Sequence, residues 1–167
     1  MGIFFFITCC CISCEHPVRE ELQISIQNRT DSFISVRLYP KAEYLSGTSY
    51  RFSDIGGGYT NVQFSLPPNN DERMEWSEII FTTGDLNIKP YTLAAKVFDS
   101  IYISTENKDH TIKFTHENVT GYSENLFSEN STWDYKTGLQ DESDFRVRRV
   151  KVHCYTFLIL DDKMIIE

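Results

Sequence analysis

The chain has 167 residues, and 24 acidic against 16 basic side chains give it a formal net charge of −8. This length suits one domain with a sizeable core, and an acidic chain without a basic stripe is a poor nucleic-acid binder. Four of the five cysteines lie at or before Cys14, so the rest of the chain carries Cys154 alone and is not a disulfide scaffold.

The first stretch of the chain is apolar and ends at a cysteine. Residues 3–12 have the length of a signal-peptide core and are too few to span a bilayer. The small residue Ser13 precedes Cys14, and the chain then becomes polar. The pattern predicts that residues 1–13 are a signal peptide that is removed. Two alternatives are a secretory signal without a lipid and a buried N-terminal strand or helix.

The apolar run followed by Ile12, Ser13 and Cys14 resembles the lipobox of bacterial lipoproteins. The resemblance implies that the peptidase cleaves before Cys14 and that this thiol carries a lipid, which anchors the protein to a membrane. With its short acidic tether, residues 14–21, and its β-rich composition, the chain is similar to the small lipoproteins of Bacteroides-type Gram-negative bacteria. That similarity implies a lipid-anchored protein of the cell envelope, at the outer membrane.

Residues 22–167 are predicted to form a single all-β domain. Apolar and polar residues alternate over residues 22–27 and 34–39, the pattern of half-buried strands. The five polar residues between them predict a hairpin. Similar patterns predict strands at residues 62–66, 76–82 and 111–115, and a last strand at residues 150–160. The predicted core residues are Ile24, Val36, Phe64, Val152 and Leu158.

Two segments are less regular. Pro90 is suited to the first turn of a short helix, and β-forming residues in the second half of residues 91–105 predict a strand that forms a hairpin with residues 111–115. Residues 118–138 are predicted to be a long polar loop. Strands separated by frequent turns predict an antiparallel β-sandwich with at most one short helix, and an immunoglobulin-like architecture is one option.

The polar loop contains large apolar side chains. Disordered segments are poor in aromatic residues, so residues 118–135 are expected to be ordered and to pack on the sandwich, with Phe127 and Trp133 substantially buried. If these aromatic side chains are exposed instead, they are the best candidate binding surface for a partner or a sugar. The candidate binding residues are Tyr122, Phe127, Trp133 and Tyr135.

No catalytic or cofactor motif stands out. The triple glycine at residues 56–58 lacks the Lys-Ser/Thr pair of a phosphate loop. His110 and His116 are six residues apart, about 20 Å along a strand, so one ion does not reach both. No metal, no cofactor and no enzymatic activity are therefore expected.

Three functions remain open at this point. The first is a non-catalytic envelope lipoprotein that binds a partner protein or serves in surface assembly. The second is a carbohydrate-binding accessory lipoprotein of a glycan-uptake system. The third is a hydrolase whose site has no recognisable motif.

Overall fold

The computed structural model describes residues 19–45, 63–68, 77–106, 110–141 and 149–165. The predicted lipidation residue Cys14 and the triple glycine lie outside the described residues. The elements in chain order are β1 (Arg19–Asn28), β2 (Ile34–Pro40), α1 (Ala42–Leu45), β3 (Gln63–Leu66), β4 (Ser77–Thr83), α2 (Pro90–Val97), β5 (Phe98–Thr105), β6 (Thr111–Thr115), β7 (Val119–Thr120), β8 (Trp133–Asp141) and β9 (Arg149–Ile159).

The strands form two sheets, which confirms the predicted β-sandwich. The four-stranded sheet has the order β4-β1-β9-β8, and the five-stranded sheet has the order β3-β2-β5-β6-β7. In the described part of the chain the strand pairs are antiparallel, except that β1 and β9 run parallel along all of β1. The Phe114 ring of the five-stranded sheet meets the Phe157 ring of the four-stranded sheet at 5.7 Å between centroids, so the core lies between the sheets.

Alternating side chains of β1 and β2 supply the centre of this core. Ile24 and Val36 are fully buried, as predicted, and Phe64 is half-buried against the same cluster. Complete burial of one such aliphatic side chain stabilises the fold by about 1.5–3 kcal/mol. Alternation therefore identified the core face of these strands correctly.

The core face of the last strand differs from the prediction. The parallel register pairs Ile26 with Phe157 and Asn28 with Ile159, and both β9 residues are fully buried. Leu158 lies on the opposite face and is partly exposed, so its assignment to the core was wrong. Val152 is buried as predicted, although it lies on the same face as Leu158. Both faces of β9 carry apolar residues, and only the pairing with β1 decides which one faces the other sheet.

The predicted hairpin between β1 and β2 is also wrong, because the two strands belong to different sheets. The buried side chain of Asn28 directs this crossing. Its Oδ1 accepts hydrogen bonds from the backbone N–H and the hydroxyl of Thr30 at 3.0 and 2.7 Å. Its Nδ2 donates to the carbonyls of Ser32, Leu66 and Pro67. An Asx turn of this kind changes the chain direction locally, and here it leads from one sheet to the other.

Strand β8 occupies most of the second half of the predicted loop, residues 118–138. It is an edge strand paired only with β9 among the described elements, and most of its side chains are exposed. A period of two was present in Trp133, Tyr135 and Leu139. The intervening polar residues and Gly138 concealed it, because strand patterns are weak where one face is solvated.

The start of helix α2 agrees with the sequence prediction, and the start of strand β1 differs from it. Helix α2 begins at Pro90 and is followed directly by β5, as predicted, and β5 pairs with β6 as the predicted hairpin. Strand β1 begins at Arg19, so residues 19–21 of the predicted tether belong to the sheet. Within the described residues no helix has the length and hydropathy needed to cross a membrane.

Candidate functional site

The loop after β7 is ordered and packs on the sandwich, as the sequence predicted. Tyr122 is 1% exposed and Phe127 is 8% exposed. The Tyr122 hydroxyl donates a hydrogen bond to the carbonyl of Leu158 at 3.0 Å and accepts one from the N–H of Leu160 at 3.1 Å. Burial raises the pKa of Tyr122 to about 12. These two residues therefore fasten the loop to the sandwich and are not available to a ligand.

Two histidines fix the same loop from either end of β6. The Nε2 of His110 lies 2.8 Å from the carbonyl of Gly121, and the Nε2 of His116 lies 2.8 Å from the carbonyl of Phe98. A carbonyl only accepts, so each Nε2 carries a proton and donates it. The His116 ring also stacks on Phe127 at 4.9 Å between centroids. Within the described residues there is no group of three or more potential metal ligands.

Gly121 is required where the loop passes close to β6. Its φ is 76°, and a Cβ at this position would lie 2.4 Å from the carbonyl oxygen of Thr111. Any side chain would meet both the left-handed backbone and this close contact. The loop is therefore a structural element with a fixed path.

The other two predicted binding residues lie on β8. The Trp133 indole is half-buried, 5.3 Å from the Phe157 ring, and its Nε1 donates to the Ser131 hydroxyl at 2.8 Å. Tyr135 is 50% exposed. Of the four predicted residues, Tyr122, Phe127 and Trp133 pack the fold. The Tyr135 ring packs on Tyr155, with centroids 4.9 Å apart, and its other half remains exposed.

Tyr135 is the first member of a hydrogen-bonded chain that ends at Glu20. Its hydroxyl lies 2.7 Å from the Nδ1 of His153, and the Nε2 of His153 lies 2.8 Å from Glu20. The hydrogen bond from His153 lowers the pKa of Glu20. An ionised carboxylate only accepts, so the Nε2 of His153 donates its proton to the hydrogen bond with Glu20. This series of hydrogen bonds therefore holds the half-exposed Tyr135 ring in one orientation.

The outer face of the five-stranded sheet carries a second set of exposed or half-buried groups, in two rows across the strands. Register pairs Ser65 with Ser35, Ser35 with Ser104, and Ser104 with Thr111. We call these four residues the hydroxyl row. Because their side chains are short, they form a low floor across four strands.

The neighbouring row is taller and positively charged. Register places Gln63, Arg37, Tyr102 and Lys113 side by side, and we call them the cationic row. The Nε and Nη2 of Arg37 donate to the amide oxygen of Gln63 at 3.2 and 2.7 Å. The Nζ of Lys113 lies over the Tyr102 ring, 5.3 Å from its centroid, which is within the range of a cation–π contact.

Aromatic side chains border the floor on both sides. Tyr39 packs edge-to-face on Tyr102, with ring centroids 5.0 Å apart. Tyr39 is 39% exposed, and Phe33, at the other side of the hydroxyl row, is 47% exposed. Glu106 lies beside Phe33, and its N–H donates to the Phe33 carbonyl at 2.9 Å.

All of these side chains except Lys113 line a groove of about 530 Å³, which is within the usual range for a ligand site. Its floor offers hydroxyl groups, its walls offer aromatic rings, and one wall is cationic. This combination suits a polyhydroxylated ligand, whose hydroxyls pair with the floor and whose apolar ring faces contact the aromatic walls.

The groove was not predicted from the sequence, because alternation marks the outward positions of β2 and β5 only as solvated residues. Ser35, Arg37 and Tyr39 alternate with the core residues of β2, but their cross-strand neighbours depend on register. The recurrence of outward Ser and Tyr on both β2 and β5 is the signal that was present.

Comparisons with known proteins do not assign this site. No family model, no curated protein sequence and no solved structure matches the chain. The function therefore has to be argued from the groove and from the N-terminal sequence.

Proposed function

We propose that the chain is a non-catalytic lipoprotein of the bacterial cell envelope, anchored at the outer membrane through Cys14, whose sandwich domain binds an oligosaccharide. The groove on the outer face of the five-stranded sheet is the observation that carries this proposal. The lipobox-like sequence before Cys14 supports the location.

The shape of the groove supports an extended ligand. The hydroxyl row crosses four neighbouring strands, and adjacent strands lie about 4.8 Å apart. A floor of this kind runs across the sheet for a length of several sugar rings. Phe33 on one side and Tyr39 and Tyr102 on the other provide faces against which pyranose rings pack. An oligosaccharide therefore matches the groove better than a compact metabolite does.

Binding to a panel of soluble oligosaccharides, measured by calorimetry, tests the proposal. Tyr102→Ala is expected to weaken binding of a responding sugar at least tenfold, about 1.4 kcal/mol. Tyr135→Ala, which removes an exposed tyrosine on the other sheet, is the matched control and should bind normally. Equal loss in both variants, or no loss in either, would contradict the assignment of the groove.

A second candidate function, binding of a partner protein, is favoured by the exposed edge of β8. Tyr135 and Leu139 lie on one face of this edge strand and are 50% and 62% exposed. The link to His153 and Glu20 fixes the Tyr135 ring before any partner arrives, which reduces the entropy lost on binding. Edge strands also offer unpaired backbone groups to an added strand.

In-cell crosslinking distinguishes this candidate. A photoreactive residue at position 139 should give one discrete adduct if the edge binds a protein. The same residue at position 86, where Leu86 is also exposed but lies in a turn, is the control. Adducts that are identical at both positions would argue against a specific partner at β8.

A further inference from the structure

We propose that the ligand of the groove is an acidic oligosaccharide whose carboxylate binds between Arg37 and Lys113. This inference rests on the proposed function and specifies its ligand class. The cationic row is the feature that points to an anion, and it lies directly beside the hydroxyl row.

The positive charge of this row is local. The chain as a whole carries a formal net charge of −8, yet two cations flank Tyr102 in the register. Arg37 lines the groove, and Lys113 lies just outside its lining, over the Tyr102 ring. A neutral sugar is satisfied by amides and hydroxyls and requires neither cation. A carboxylate gains a charge-assisted hydrogen bond from each of them, and these bonds are about twice as strong as neutral ones.

Arg37 is already oriented for this task. Its two bonds to Gln63 hold the guanidinium plane in place, and Nη1 makes no hydrogen bond to any residue that the structure describes. The planar guanidinium matches a carboxylate better than a point charge does. Lys113 rests on the Tyr102 ring, so its ammonium is also positioned before the ligand arrives.

The proposed position of the carboxylate lies at Tyr102, which the register places between the two cations. Arg37 and Lys113 are two strands apart, with Tyr102 between them, which corresponds to about 10 Å between their backbones. Glu106 lines the opposite side of the groove near Phe33. Its carboxylate would repel an acidic group there, and it would accept a hydrogen bond from a sugar hydroxyl instead. The acidic group of the ligand should therefore face the Tyr102 side.

The test uses the full-length chain in detergent and two matched probes. One is an oligogalacturonate, and the other is the same oligosaccharide with its carboxylates reduced to alcohols. We expect the acidic probe to bind at least tenfold more tightly than the reduced one, and we expect its affinity to fall as salt is added. Arg37→Gln and Lys113→Met should each weaken the acidic probe at least threefold and leave the reduced probe unchanged.

Lys96→Met, which removes an exposed lysine on α2, is the charge-matched control and should bind like the wild type. Melting temperatures of all variants show that each is folded. Equal affinity for both probes, with Tyr102→Ala defective, would overturn the acidic ligand and leave the proposed function intact. If a sulfated oligosaccharide without carboxylates binds tightly and the oligogalacturonate does not, the proposed preference for a carboxylate is wrong. If neither these probes nor the wider panel binds, the proposed function fails as well.

Discussion

The loop after β7 and the outer face of the five-stranded sheet have similar compositions and opposite roles. Both combine aromatic rings with serine, threonine and amide side chains. In the loop, Tyr122 and Phe127 are buried. On the sheet face, Phe33 and Tyr39 remain substantially exposed, and the hydroxyl row lies open between them.

Backbone hydrogen bonding explains the difference. The strands already satisfy their backbone groups through the sheet ladder, so their outward side chains are not needed to pair with the backbone. The loop has only an isolated bridge between Tyr122 and Met164, and side chains such as Asn125 add bonds to the backbone at Thr115 and Phe127. An aromatic residue in this loop is therefore a packing group, whereas one on the outer face of a paired sheet is available for recognition.

Replacement of Phe157, whose ring joins the loop to the core, is expected to have the largest effect on the free energy of unfolding. Phe157 contacts Phe114, Tyr122 and Trp133 and is fully buried. Phe157→Ala should lower the free energy of unfolding by about 3–5 kcal/mol, because it leaves a cavity. Urea unfolding followed by fluorescence measures the loss, and a loss below about 1 kcal/mol would mean that the loop does not depend on this ring.

Removal of the Tyr122 hydroxyl should have the next largest effect on the free energy of unfolding. Tyr122→Phe leaves the Leu158 carbonyl and the Leu160 N–H without this partner, which should cost about 1–3 kcal/mol. The same urea experiment measures it. Phe114→Leu is a useful companion variant, because it alters the ring that packs on Tyr122 at 5.9 Å and leaves the hydroxyl in place.

The raised pKa of Tyr122 predicts a loss of stability at alkaline pH. The pKa of Tyr122 is raised from 10.0 to about 12 by burial, so the folded state holds the phenol proton more tightly than the unfolded state does. The stability that this proton contributes is complete below pH 10 and is lost as the pH rises from 10 to about 12. The wild type should lose more stability in this window than Tyr122→Phe does. Identical pH profiles would contradict the prediction.

A smaller effect is expected from the ion pair that closes the loop. Glu124 lies 2.6 Å from Lys163. Burial opposes ionisation of Glu124, but the bonds from Lys163 and Thr132 outweigh it and lower its pKa below the ordinary value of 4.5. This contribution is therefore present above pH 4.5 and is lost as the pH falls through the lowered value. Lys163→Met should cost about 0.5–1 kcal/mol at pH 7 and less at pH 3, in chemical denaturation at both pH values.

The smallest effect on stability is expected in the groove. Phe33→Ala and Tyr39→Ala should each change the free energy of unfolding by less than about 1 kcal/mol, because these side chains are exposed. Comparison with Phe157→Ala in one denaturation series tests the division between packing and recognition directly. A large loss at Phe33 would place that ring among the structural groups.

The sequence predicted the fold better than it predicted the site. Alternation around Ile24 and Val36 identified buried faces, and Pro90 marked the start of α2, because these signals are local. The face of β9, the crossing at Asn28 and the groove depend on which strands become neighbours. That pairing brings together residues far apart in sequence, such as Ser35 and Ser104, and no local pattern contains it.

The parallel pairing of β1 with β9 has a mechanical consequence. The first residue of β1 and the last residue of β9 lie at opposite ends of the pair, which is in register from Arg19 and Val150 to Asn28 and Ile159. Tension applied between those ends slides the two strands past each other and loads their hydrogen bonds in shear, all at once. An antiparallel hairpin pulled from its open end separates one bond at a time and resists less. Because forced unfolding is governed by the rate of unfolding, this sandwich should resist stretching along β1 and β9 far better than stretching across the antiparallel edge of β8.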